Sequence, residues 1–150
     1  MNTEFSRLLS AFLAAFPHSP TPGQEEALQR IANFIVKSTT GDTYLLKGYA
    51  GTGKTTIISV LVKTLPKHGV KTVLMAPTGR AAKVMATYSK KNAFTIHRKI
   101  YRPKRGDGNR VSYSLAQNQN TNTLFIVDEA SMIADKGGLT EIFFGGQNLL

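Results

Sequence analysis

The stretch Tyr44-Leu45-Leu46-Lys47-Gly48-Tyr49-Ala50-Gly51-Thr52-Gly53-Lys54-Thr55-Thr56 decides how the rest of the chain is read. A short strand over Tyr44–Lys47 is expected to run into a glycine-rich turn, and the turn into a helix from about Lys54 to Leu65. Residues Gly48–Thr55 fit G-x-x-x-x-G-K-[ST] at every fixed position. The glycines let the backbone curl so that successive N–H groups point inward at an anion. The helix that follows adds its positive N-terminal end. Gly48, Ala50, Gly51, Thr52, Gly53, Lys54, Thr55 and Thr56 are therefore expected to cradle the phosphates of a nucleotide such as ATP. Lys54 would reach the β- and γ-phosphates, and the Thr55 hydroxyl would ligate Mg2+.

Outward from this loop, strands and helices alternate. Thr72–Ala76 reads as a second buried strand, followed by a helix from about Gly79 to Ser89. Leu124–Asp128 reads as a third strand, apolar on both faces as strands of parallel sheets are. It ends in two carboxylates: Asp128 at the tip suits Mg2+, directly or through water, and Glu129 can polarise a water for attack on the γ-phosphate. The alternation implies an α/β fold, a parallel sheet with helices on both sides. Upstream, Phe5, Leu8, Leu9, Phe12, Leu13 and Phe16 recur at helical spacing. Pro17, Pro20 and Pro22 end that helix, and Thr21-Pro22-Gly23-Gln24 reads as the start of another, with Thr at the N-cap and Gln at N3. Between Arg98 and Thr123 the pattern turns polar and basic, and Ile100–Lys104 is expected to pair with Val111–Leu115 across Arg105–Arg110.

The charge is one-sided. The 150 residues carry a formal net charge of +10, and residues 63–110 hold thirteen basic side chains against the single acid Asp107. Such a block suits a polyanion such as nucleic acid, although a solvated surface carries charge in the same way. The absence of cysteine excludes disulfides and thiolate metal sites. The three histidines, His18, His68 and His97, lack zinc-site spacing. No segment approaches the length of a membrane span, and Leu8–Phe16 is too short and too uncharged at its start for a signal peptide, so a cytoplasmic location is expected.

Five segments, in order, resemble the superfamily one DNA helicases and, among them, the RecD-like group. Thr21–Gln24 is similar to the Q-motif, whose glutamine reads the adenine edge; Gln24 equally fits the N3 position of a capping box. Gly48–Thr56 is similar to motif I. Ala76-Pro77-Thr78-Gly79-Arg80-Ala81-Ala82-Lys83 is similar to motif Ia, which touches the single-strand backbone. Thr95-Ile96-His97-Arg98 is similar to the threonine–histidine element that follows it, and Asp128-Glu129-Ala130-Ser131-Met132 to motif II. The resemblance implies Mg-ATP as cofactor, single-stranded DNA as partner, and Pro77, Thr78, Arg80, Lys83, Thr95, His97 and Arg98 along the strand. It implies that Arg98–Leu115 is a small hairpin that helps part the duplex. Tyr88, Phe94, Tyr101 and Tyr113 lie in the basic block and suit a base-stacking groove or core packing.

That family also uses a second RecA-like domain, an arginine finger and a Gly-Asp-x-x-Gln sensor, which do not occur before Leu150. The expectation is a partial RecA-like P-loop NTPase domain, incomplete at the C-terminus, working with a second RecA-like domain of a longer protein. Residues 1–20 form a helix and connector; residues 21–150 form the ATP-binding domain, with a basic insertion at about 98–123. The expected activity is ATP hydrolysis driving movement on DNA, with Lys54, Asp128 and Glu129 as catalytic residues. The alternatives are a PhoH-like or other P-loop ATPase directed at RNA or protein, and a basic nucleic-acid-binding module with a vestigial nucleotide site.

Overall fold

The computed structural model describes residues 3–105 and 111–133. They belong to two compact units, Met1–Lys71 and Thr72–Leu150. In the first unit, α1 (Thr3–Ala15) packs against α2 (Pro22–Lys37) and α3 (Lys54–Thr64), which runs on into a 3-10 turn over Leu65–His68. The period read from the sequence faces Leu8 and Phe12 inward from α1. α2 buries Leu28, Ile31 and Ala32. Phe12, Leu28 and Leu65 are completely shielded from solvent. Cutting a buried phenylalanine back to alanine costs about 3–5 kcal/mol, so Phe12 is a main anchor of this unit. α3 buries Ile57, Ile58, Val60, Leu61 and Val62, too many positions for a single stripe, so it is an interior helix.

The start of α2 follows its sequence closely. The Thr21 hydroxyl accepts the Gln24 N–H and the Gln24 side chain accepts the Thr21 N–H, completing the capping box, with Pro22 in the first turn. Tyr44–Lys47 departs from expectation: it carries no strand. A strand exists through its ladder, and none of the described strands bonds to this segment. Its tyrosine instead rests against α2, with the Phe34 and Tyr44 rings 5.5 Å apart.

The second unit is built on a three-stranded parallel sheet of order β2-β1-β5, comprising β1 (Lys71–Ala76), β2 (Ala93–Thr95) and β5 (Thr123–Val127). β1 is central and mostly buried, with Leu74↔Ala93, Met75↔Phe94 and Ala76↔Thr95 in register. α4 (Gly79–Ser89) and the single-turn α5 (Ile96–Ile100) pack on β2. β2 and α5 were not expected as elements. Three residues of strand and five of helix are too short for periodicity to reveal. Because α5 takes Ile100, the antiparallel ribbon begins one residue later than anticipated, with β3 (Tyr101–Arg105) paired to β4 (Val111–Leu115). The turn expected between them falls on 106–110, outside the described residues. In the ribbon Tyr101 faces Leu115 and Pro103 faces Tyr113, while Arg102 faces Ser114 and Lys104 faces Ser112. Successive strand residues alternate between faces, so Tyr101, Pro103, Tyr113 and Leu115 share one face and Arg102, Lys104, Ser112 and Ser114 the other.

Candidate functional site

Three helices begin alike. Thr21, Thr78 and Thr95 each cap a helix, α2, α4 and α5, by accepting a first-turn N–H on the side-chain oxygen. α3 begins on Gly53, and no side chain caps it. Its first internal bond runs from the Ile57 N–H to the Gly53 carbonyl, 3.0 Å. The amides of Lys54, Thr55 and Thr56 come before that bond and have no carbonyl within the helix to donate to. An uncapped helix start behind a glycine-rich turn is where a phosphate would sit.

The loop is shaped for that purpose. Gly51 and Gly53 hold φ of +79° and +91°, which side-chain-bearing residues rarely adopt, and a Cβ on Gly48 would lie 2.6 Å from the Thr52 hydroxyl. That hydroxyl donates to the Tyr49 carbonyl at 2.9 Å. The Lys54 ammonium crosses the loop and donates to the carbonyls of Gly48 (2.5 Å) and Tyr49 (2.8 Å). A cation is thus already held against the cradle by neutral acceptors that an anion can displace. Ala50 and Thr55 are exposed beside it and Thr56 is half-buried.

Gln24 fills its capping-box position and makes a second contact besides. Its amide oxygen accepts the Thr21 N–H at 3.0 Å, and its amide nitrogen donates to the Thr52 carbonyl at 3.1 Å. It therefore closes the helix start and ties α2 to the phosphate-binding loop together. An amide has two donor hydrogens and two acceptor lone pairs, so one of each remains for an adenine edge. The tie to Thr52 is long-range, 28 residues along the chain, and nothing in local spacing announces it.

In the second unit the parallel strands all deliver the chain to one edge of the sheet. Thr78–Lys83 follow β1, Thr95–Arg98 follow β2, and Asp128–Glu129 follow β5. The Asp128 N–H donates to the Met75 carbonyl of β1 at 3.0 Å, which fixes the last of these beside the first. Open α/β sheets take their ligands at this carboxyl edge. The Asp128 carboxylate is held at both oxygens: Oδ1 accepts the Glu129 N–H at 2.9 Å and Oδ2 accepts the Tyr88 hydroxyl at 2.8 Å. Glu129 turns the chain there with φ +55°, a left-handed conformation that costs a non-glycine residue about 1–2 kcal/mol.

Burial, and then the hydrogen bond to Asp128, push the Tyr88 hydroxyl well above its ordinary pKa of 10.0, so it is a neutral donor. By sequence Tyr88 suits either a base-stacking groove or core packing. The available signal was helical: Ala82, Met85 and Ser89 are the buried side of α4, and Tyr88 stands three residues beyond Met85 on the margin of that side.

Mg2+ suits these residues chemically. Each is a hard oxygen donor taken by itself, the Asp128 carboxylate in the second unit and the Thr55 hydroxyl in the first. Among the described residues no three or more His, Cys, Asp or Glu side chains gather into a cage.

The residues expected along nucleic acid divide into two groups. Arg80, Lys83 and Arg98 are exposed. The Thr78 and Thr95 hydroxyls, by contrast, are used as caps, accepting from Ala81 and Arg98 at 3.2 Å each. Pro77 and His97 are half-buried, and the His97 ring stacks on Tyr101 at 5.6 Å. Phe94 carries the Lys99 ammonium 5.3 Å over its ring, while Tyr113 is 45% exposed.

Among the described residues no helix is long and apolar enough to cross a membrane. No solved structure gives a significant match to the chain. A family model described as an AAA domain matches residues 19–142, a span that takes in Gln24, the phosphate-binding loop and Asp128–Glu129. With an uncapped helix start behind a fully matched phosphate loop, the chain belongs to this AAA-domain family of P-loop ATPases.

Proposed function

We propose that the chain is the ATP-binding lobe of a motor that moves on single-stranded DNA, of the RecD-like helicase kind. The observation that supports this reading is the shared sheet edge. It gathers the Thr78–Lys83 and Thr95–Arg98 segments next to Asp128–Glu129, within a stretch whose charge is overwhelmingly positive. A strand tracked by Arg80, Lys83 and Arg98 through its phosphates would lie beside the acid that governs hydrolysis, as coupling of movement to chemistry requires.

In this reading Lys54 leaves the Gly48 and Tyr49 carbonyls for the β- and γ-phosphates, and the first amides of α3 bind the same oxygens. Thr55 and Asp128 hold Mg2+, which neutralises charge on the phosphate oxygens when bound. Glu129 orients the attacking water and takes its proton. Gln24 keeps the loop in register and offers its remaining donor and acceptor to adenine. A second RecA-like lobe supplies the arginine that offsets charge on the transferring phosphoryl group.

The test is binding of labelled oligonucleotides by fluorescence anisotropy, with salt varied from 50 to 200 mM. Affinity for a single DNA strand should fall steeply, because cations on phosphate release counterions. Replacing Arg80 and Lys83 together by Ala should flatten the log–log slope by about 2, one per lost phosphate contact. Binding that ignores salt, or no binding at 50 mM, rejects the reading. Equal or tighter binding of an RNA strand moves the assignment to an RNA-directed ATPase.

A further inference from the structure

We propose that Tyr88 is a positioning residue for Asp128, setting the plane in which that carboxylate meets the metal of a bound nucleotide. This rests on reading Asp128 as the metal acid. A carboxylate at the end of a strand rotates about two bonds and needs two anchors on different atoms to be fixed. One anchor, the Glu129 N–H on Oδ1, comes from the next residue and moves with the same turn of backbone. The other, the Tyr88 hydroxyl on Oδ2 at 2.8 Å, comes from 40 residues away on α4. Only the second ties the carboxylate to a separate element, and α4 is itself packed on the sheet.

The bond belongs to the stronger class, with a neutral donor on an ionised acceptor. It engages one lone pair of Oδ2 and leaves the other, so it orients the group without occupying it. The pair is part-buried, where solvent competes less for either partner than at an open surface. Groups that hydrogen-bond a metal-binding carboxylate from behind typically govern metal affinity by 10–100-fold.

Tyr88→Phe removes the hydroxyl and keeps the ring, so it isolates the bond from the packing. The measurement is affinity of the full chain for the fluorescent nucleotide mant-ADP, titrated first without metal and then against rising Mg2+, with Mn2+ binding followed by electron paramagnetic resonance. The variant should match the parent without metal, yet need about 10–100-fold more Mg2+ for the same gain in affinity. Mn2+ should weaken in parallel. In an Asp128→Asn background Tyr88→Phe should add nothing further. If the parent gains affinity with Mg2+ and Tyr88→Phe gains it at the same concentration, the role of Tyr88 is overturned while that of Asp128 stands. Equal loss with and without metal also overturns it, since that is the mark of a merely structural tyrosine. If the parent itself shows no response to Mg2+, the reading of Asp128 falls and this inference with it.

Discussion

Gly53→Ala probes the point where two elements meet, and its cost can be worked out from the geometry. Gly53 holds φ +91° and ψ 18°, so any L-residue there pays about 1–2 kcal/mol for the left-handed backbone. The added Cβ would also fall on the Gln24 amide nitrogen, far inside contact distance. That amide is the end of a flexible chain and swings away without resisting. What it forfeits are its bonds to the Thr52 carbonyl and the Thr21 N–H. At a partly exposed site these contribute about 0.5 kcal/mol each, so the total is about 2–3 kcal/mol. Urea unfolding should show this as a lower midpoint with little change in slope. A double-mutant cycle isolates the cause. Gln24→Ala alone should cost about 1 kcal/mol, but almost nothing once Ala stands at 53, because the bonds are already gone. Strictly additive costs, or a Gly53→Ala chain as stable as the parent, would refute the link between the α2 cap and the loop.

Lys54→Ala should weaken Mg-ATP binding by about 2 kcal/mol, roughly 30-fold in Kd, through loss of a charge-assisted phosphate contact. Calorimetric titration giving equal affinity would remove Lys54 from the site. For Tyr88 the folded pKa lies above the unfolded value of 10.0, so its contribution to stability is complete below pH 10 and is lost as pH rises through the folded value. In metal-free protein, stability above pH 10 should therefore fall more steeply for the parent than for Tyr88→Phe, and the parent should show a last, delayed step in tyrosinate absorbance; identical curves would contradict the part-buried bond to Asp128.

Much of this was readable because it is local. The Thr21–Gln24 capping box, the inward stripe of α1 and the bounds of α4 each depend on residues within two turns, and spacing alone reveals them. The phosphate loop is legible for the same reason: its glycines, lysine and threonine act within eight residues. Contacts made by folding were hidden. No spacing could pair Tyr88 with Asp128 or Gln24 with Thr52, since those bonds depend on where the strands and helices come to rest. Tyr44–Lys47 failed in the opposite sense. Its composition suits a strand, but a strand also needs a neighbour, which composition does not supply. Thr78 and Thr95 show a third limit: the hydroxyl that suits a phosphate contact suits a helix cap as well, and while its oxygen accepts the cap N–H its own hydrogen is still there to donate.

The β3–β4 ribbon forms a sheet of its own, apart from the one built around β1. Two-stranded ribbons without a third strand are marginal in water, and Pro103 further lacks an N–H to donate to any neighbour. Its amides should take up deuterium well before those of Val73–Met75, since opening the ribbon need not break a rung of the central ladder. Whatever this segment meets, it can yield or re-form at little energetic cost, while the strand beneath Asp128 stays closed.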